Sequence, residues 1–141
     1  MIPEIKDIDI RELLPQKEPF ILVDEFVSWD DAGSRVRFKV KEDGIMVEDG
    51  RLRPAGLVEV MAQTSAAHIG YYNKYILNKP VRIGYIGAVN TLNVNREVRV
   101  GETIEATLKI LTESGNLTRM EVLLQVKNET VASGKMTLVL Q

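Results

Sequence analysis

The stretch from Gly56 to Tyr75 constrains the fold of this chain more than any other. It is rich in Ala, Met and Leu, and its first half holds few polar side chains: Glu59, Gln63, Thr64, Ser65 and His68. A helix that is apolar almost all round has no face to give to water, so it must be enclosed. No other part of the sequence has a long helical pattern. The remaining segments long enough to cover it read as strands, and a sheet curled around one helix is the simplest packing that buries it.

The flanking sequence supplies those strands. Asp9 caps a short predicted helix over Ile10-Arg11-Glu12-Leu13-Leu14, with Glu12 three residues on and Pro15 ending it. Phe20 to Val27 is apolar and β-branched on both sides of Asp24 and Glu25, which predicts a buried strand. Asp30-Asp31-Ala32-Gly33 is a turn. From Arg35 to Lys41 the pattern alternates, with Val36, Phe38 and Val40 set against Arg35, Arg37, Lys39 and Lys41, as in a strand with one wet face. Residues 42–55 carry Asp43-Gly44, Asp49-Gly50 and Pro54 and read as a loop. Asn78-Lys79-Pro80 ends the helix. Val81 to Val100 predicts a strand bent or bulged near its Asn residues. Thr103–Glu113, Leu117–Lys127 and Thr130–Leu140 are separated by short turns and predict an antiparallel meander. The expectation is one α+β domain over residues 1–141. Such a sheet leaves an edge strand, which pairing with a second copy would hide, so a dimer with a continuous sheet is expected.

Composition narrows the chemistry. With 141 residues, 45% hydrophobic and 27% charged, the chain reads as an ordinary globular protein. Its 18 basic and 20 acidic residues give a net charge of -2, without the clustered basic excess of a nucleic-acid binder. The absence of cysteine removes disulfides, thiolate catalysis and zinc-thiolate sites. A single histidine, His68, removes His-rich metal sites and any mechanism that takes two histidines from one chain. No metal and no cofactor are therefore expected. Residues 1–7 show no signal-peptide run, and no segment reaches the roughly 18 apolar residues of a membrane span. The expected location is the cytoplasm.

Within the helix, Glu59 is the sharpest candidate. A carboxylate flanked by Leu57, Val58, Val60 and Met61 is costly unless paired or protonated. It is either a site acid or a buried Glu bonded to a backbone amide or to Arg53. Gln63, one turn on and on the same face, either orients Glu59 or caps a polar network in the core. His68 lies nine positions after Glu59; at about 100° per residue it faces the opposite way, as a core-edge or interface histidine. Asp24 reads as a structural hydrogen-bonder. Arg51, Arg53 and Lys17 are either scattered surface cations or contacts for an acidic carrier. Tyr71, Tyr72 and Tyr75 read as helix packing.

Two segments resemble the 3-hydroxyacyl-acyl-carrier-protein dehydratase family. Leu13-Leu14-Pro15-Gln16-Lys17-Glu18-Pro19-Phe20-Ile21-Leu22-Val23-Asp24 stands where the family reads Leu-Leu-Pro-His-x-x-Pro-Phe-Leu-Leu-Val-Asp, and Glu59-Val60-Met61-Ala62-Gln63 where it reads Glu-x-Met-Ala-Gln. Tyr85-Ile86-Gly87-Ala88-Val89, Val100-Gly101-Glu102 and Gly115-Asn116-Leu117-Thr118-Arg119 follow in family order, so the resemblance spans about residues 10–140. It implies a hotdog fold, an acyl-carrier-protein or coenzyme A thioester as substrate, and a site shared between two subunits. In that site a histidine removes the C2 proton, a helix carboxylic acid protonates the departing 3-hydroxyl, and a backbone N–H at the helix start polarises the thioester carbonyl.

Carried over by position, the acid is Glu59. The histidine falls on Ile45, in Gly44-Ile45-Met46-Val47 where the family has Gly-His-Phe-Pro. The glycine before the helix falls on Pro54, which has no N–H, so the amide donor shifts to Ala55 or Gly56. Glu59 is thus expected to be catalytic, with Gln63, Ile45 and Gly56 contacting substrate. Gly56-Leu57-Val58-Glu59-Val60-Met61-Ala62-Gln63 and Pro80-Val81-Arg82-Ile83-Gly84-Tyr85 are also similar to the dehydratase-like subunits found beside true dehydratases in aryl-polyene-type lipid clusters. The resemblance therefore implies a dehydratase-like acyl-thioester binder that lacks a complete dyad of its own. It would act as a homodimer or as a heterodimer with a histidine-bearing subunit. Two other readings stay open: a hotdog thioesterase using Glu59, and a non-catalytic acyl-binding or scaffold protein.

Overall fold

The computed structural model describes residues 2–81 and 84–140, and within these the side chains of residues 84–86 are not described. Arg82 and Ile83, part of one resembling segment, lie outside the described residues. Two short 3-10 helices, Ile5–Asp7 and Ile10–Leu13, lead into the first hairpin. Asp9 caps the second as expected, its carboxylate accepting from the Arg11 amide at 3.0 Å. Glu12 does not reach back to complete a capping box; its carboxylate meets Lys74 at 3.0 Å instead.

The strands are β1 (Glu25–Asp30), β2 (Gly33–Lys39), the two-residue pair β3 (Val47–Glu48) and β4 (Arg51–Leu52), then β5 (Gly84–Val94), β6 (Thr103–Ser114), β7 (Leu117–Val126) and β8 (Glu129–Leu140). Six of them form one antiparallel sheet in the order β1-β2-β6-β7-β8-β5, and β3 with β4 forms a small hairpin. The expected meander is β6-β7-β8. In the loop read over 42–55, Asp49 and Gly50 both take positive φ, 53° and 75°, which makes a tight turn between β3 and β4. The predicted bend in β5 appears as two register shifts, at Ile86/Ala88 and at Asn90/Asn93, with Thr91 at φ 55°.

The central helix α1 runs Pro54–Tyr71 and passes into a π-helical turn over Tyr72–Ile76. It starts two residues before the sequence suggested, because Pro at the first helical position forfeits only an amide that has no partner there anyway. Leu57, Val60, Met61, Ala67 and Tyr71 are buried against the inward residues of the sheet: Val36 and Phe38, Ile104 to Leu108, Met120 to Leu124, and Met136. The buried hydroxyls are satisfied within the helix, Thr64 donating to the Val60 carbonyl at 2.7 Å and Ser65 to that of Met61 at 2.9 Å. This is how the helix buries polar residues without orphaning them. Gly70 lets α1 settle on the second 3-10 helix, since a Cβ there would collide with the Leu13 carbonyl.

One expected strand is shifted. Phe20 to Val27 was predicted to be extended and buried throughout, but β1 begins only at Glu25 and Phe20 is 59% exposed. Pro15 and Pro19 deny the preceding segment ladder donors, and the amides of Leu22 and Val23 find their acceptor on α1 and not in the sheet.

Candidate functional site

The front of α1 is organised around one buried amide. Gln63 is completely buried and uses both ends of its side chain. Its Oε1 accepts from the amides of Leu22 at 2.8 Å and Val23 at 3.3 Å, and its Nε2 donates to the Phe20 carbonyl at 2.8 Å and to Glu59 Oε1 at 3.0 Å. Two backbone donors on one side and a carbonyl on the other leave only one orientation of the amide that satisfies all partners. Gln63 therefore does both things the sequence allowed. It fills a core polar network and it fixes Glu59. It also joins the two segments that carry the family resemblance, which lie some forty residues apart: the 41 positions from Leu22 to Gln63 are closed by one side chain.

Glu59 is half-buried, not enclosed. One carboxylate oxygen is held by Gln63, and the other makes no hydrogen bond among the described residues. The pairing with Arg53 weighed from sequence is not formed, because Arg53 reaches Glu48 at 2.7 Å at the surface. Just upstream, the Gly56 amide donates to the Arg53 carbonyl at 2.8 Å, so it is not free to bind substrate. Pro54 has no donor, and Ala55 N–H makes no hydrogen bond among the described residues. Gly56 instead serves packing: a Cβ there would stand 2.6 Å from Leu52 Cδ1 and 3.0 Å from Met46 Cβ. The Gly56 amide, expected to contact substrate, is thus engaged within the chain, and Ala55 carries the N–H left without a partner among the described residues.

Ile45 lies just ahead of β3. It is 50% exposed and lines a cavity of about 430 Å³ with Pro19, Ile21, Phe38, Met46 and Leu52 among others. Neither Glu59 nor Gln63 lines that cavity. Asp24, at its edge, accepts from the Lys39 amide at 2.7 Å and pairs with Lys41 at 3.2 Å, a structural arrangement.

The rear of α1 is closed. His68 is 4% exposed, its Nδ1 bonds the Ser34 hydroxyl, and the Trp29 ring stacks on it at 5.4 Å while donating its N–H to the His68 carbonyl at 3.1 Å. Burial pushes the imidazole pKa down to about 4, against the opposing pull of Asp30 and Asp31. Tyr71 packs against Trp29 at 4.8 Å, against Phe26 at 5.6 Å and against Tyr75 at 5.3 Å, and Trp29 also stacks on Tyr72 at 6.4 Å, as the packing reading of these tyrosines requires. Sequence reasoning did not find the partners of Gln63 or of His68. The two prolines ahead of Phe20, Pro15 and Pro19, were the one available signal that this segment leaves the sheet. Among the described residues no group of three or more acidic, Cys or His side chains stands ready for a metal ion, and no helix is long and apolar enough to cross a membrane.

Comparison with known proteins agrees with this architecture. A family model described as ApeP dehydratase, of the ApeP-like family, matches residues 8–141. The chain is 24% identical over 134 residues to the 3-hydroxyacyl-[acyl-carrier-protein] dehydratase FabZ of Clostridioides difficile (strain 630), covering 91% of this chain and 92% of that protein. The dehydratase heterocomplex ApeI:P from Xenorhabdus doucetiae superposes with a TM-score of 0.88 at 15% identity, over 95% of this chain and 91% of its own. Zebra fish thioesterase superfamily member 2 superposes with a TM-score of 0.67 at 21% identity, over 83% and 80%. At these identities the structural matches establish the shared hotdog fold, one antiparallel sheet around one long helix.

Proposed function

Because the chain belongs to the ApeP-like dehydratase family, we propose that it supplies the acid half of a 3-hydroxyacyl-thioester dehydratase whose base comes from a second, histidine-bearing subunit. The observation that carries this reading is the state of Glu59: partly buried, held by Gln63 through one oxygen, and with no hydrogen bond among the described residues to the other. The chain's single histidine is sealed behind the helix and cannot serve it.

In the composite site the second subunit's imidazole removes the C2 proton of the substrate. Electrons form the C2–C3 double bond, the C3–O bond breaks, and Glu59 in its acid form protonates the departing hydroxyl, so that the products are an enoyl thioester and water. The Ala55 amide, at the positive end of α1, takes the thioester carbonyl as negative charge develops on its oxygen. The loop holding Ile45 would lie toward the other subunit's carboxylate and contribute only apolar contact there. Strand β5, at one edge of the sheet and exposing Val89, Leu92 and Val94, is the surface on which the two subunits pair. Acyl-carrier-protein thioesters are favoured over coenzyme A thioesters by the likeness to FabZ, and the protein works in the cytoplasm.

The test is a dehydration assay on a 3-hydroxyacyl carrier-protein substrate, with the chain alone, with a histidine-bearing dehydratase subunit, and with the Glu59→Gln variant of the mixture. Activity only in the mixture, lost with Glu59→Gln, is the expected result. A normal rate from the isolated chain would overturn it. Release of free thiol in place of enoyl product would favour the thioesterase reading, which the shared fold with thioesterases keeps in view.

A further inference from the structure

Phe20 is the most exposed large apolar side chain among the described residues, at 59%. It is not a loose loop residue. Its amide donates to the Lys17 carbonyl at 2.9 Å, and its carbonyl accepts from Gln63 Nε2 at 2.8 Å. The same nitrogen holds Glu59 Oε1 at 3.0 Å. One buried amide therefore yokes the Phe20 backbone to the carboxylate, and a fixed backbone aims an aromatic ring into solvent. The neighbours of Phe20 face elsewhere: Pro19 and Ile21 line the 430 Å³ cavity beside Ile45, and neither Phe20 nor Glu59 does. Phe20 ends a turn closed by its bond to Lys17, and its ring is not among the side chains that line that cavity.

We propose that Phe20 is a specificity-determining residue for the reaction at Glu59, its ring forming the wall against which the first carbons of the acyl chain lie. This rests on the reading of Glu59 as the site acid. An exposed ring on a braced backbone is pre-paid for binding, since neither the segment nor the side chain's two torsions need much ordering when a ligand arrives. The ring face also suits what forms there. Dehydration turns C2 and C3 planar and conjugates them with the thioester carbonyl, and a flat π-system stacks on an aromatic face better than a puckered chain does. Phe20 then grips product-like geometry more firmly than the saturated substrate.

The experiment uses the mixture of this chain with its histidine-bearing subunit, and compares wild type, Phe20→Ala and Phe20→Leu. For a 3-hydroxyacyl carrier protein kcat/KM should fall about tenfold in Phe20→Ala, through both a higher KM and a lower kcat, and Phe20→Leu should recover most of the loss. Binding of an unreactive saturated acyl carrier protein and of the enoyl product, by calorimetry, should show the enoyl preference lost in both variants. An unchanged kcat/KM and unchanged enoyl preference in Phe20→Ala overturns the proposal. So does a loss that appears only as weaker subunit association in sedimentation, which would make Phe20 an interface anchor. Failure of the dehydratase reading looks different: Glu59→Gln would then leave turnover intact, whatever Phe20 does.

Discussion

The two halves of α1 carry buried polar side chains in opposite states. At the rear, His68 is shut in by Ser34 and Trp29, kept neutral by burial, and reached by nothing from outside. At the front, Gln63 is just as buried, but its last donor is extended to a carboxylate that stays partly exposed. The rear spends its polarity on fastening helix to sheet. The front fastens a non-sheet segment and leaves one oxygen of Glu59 without a partner among the described residues. What separates the two is whether any capacity to interact remains once the fold is satisfied, and only the front has it.

Several changes would sharpen or break this contrast. The largest effect is expected at Glu59. Glu59→Gln should cut turnover of the two-subunit mixture by roughly 10²–10⁴-fold, while thermal melting stays within the small range of a surface change. A large fall in melting temperature would move Glu59 to the structural side of the comparison. Gln63→Leu should destabilise the chain by about 3 kcal/mol in urea unfolding, because two buried amides and a carbonyl lose their partner together. It should also lower turnover. A loss below about 1 kcal/mol would mean that water replaces the amide.

At the rear, the prediction concerns pH. A histidine whose folded pKa lies below its unfolded value stabilises the fold by staying neutral. That contribution is complete above about 6.5 and is lost as pH falls through that value toward about 4. The full difference is about 3 kcal/mol, readable as a falling urea midpoint followed by the fluorescence of Trp29, the only tryptophan. His68→Gln should flatten the curve in that window; an unchanged slope would show that carboxylates and not His68 set it. The smallest effect belongs to the exposed Arg53–Glu48 pair. Arg53→Ala should change stability by less than about 1 kcal/mol, and a larger loss would mean that the β3–β4 hairpin depends on it.

The helix, the meander and the turn positions were legible in the sequence because each rests on local pattern: an apolar run with no wet face, alternation along β2, and Gly or Asn between strands. Strand β1 was misplaced because the burial of Leu22 and Val23 looks the same whether their amides face a strand or a glutamine side chain. Glu59 and Gln63 were identifiable as a pair from their four-residue spacing on one face. The grip of Gln63 on Phe20 was not, since no periodicity encodes a contact across forty residues. Pro54 announced that the donor at the helix start must move. Only the geometry shows that Gly56 turns its amide back to Arg53 and spends its missing side chain on Leu52 and Met46.

The grip of Gln63 on Leu22 and Val23 has a consequence for exchange with solvent. These two amides belong to no strand, yet they are held by a side chain that is itself completely buried in α1. Their hydrogen–deuterium exchange should therefore be as slow as that of the sheet interior, opening only with the whole domain, while the neighbouring Lys17 and Glu18 amides exchange freely. A stretch that looks like coil by its backbone angles would then report on the global unfolding of the protein.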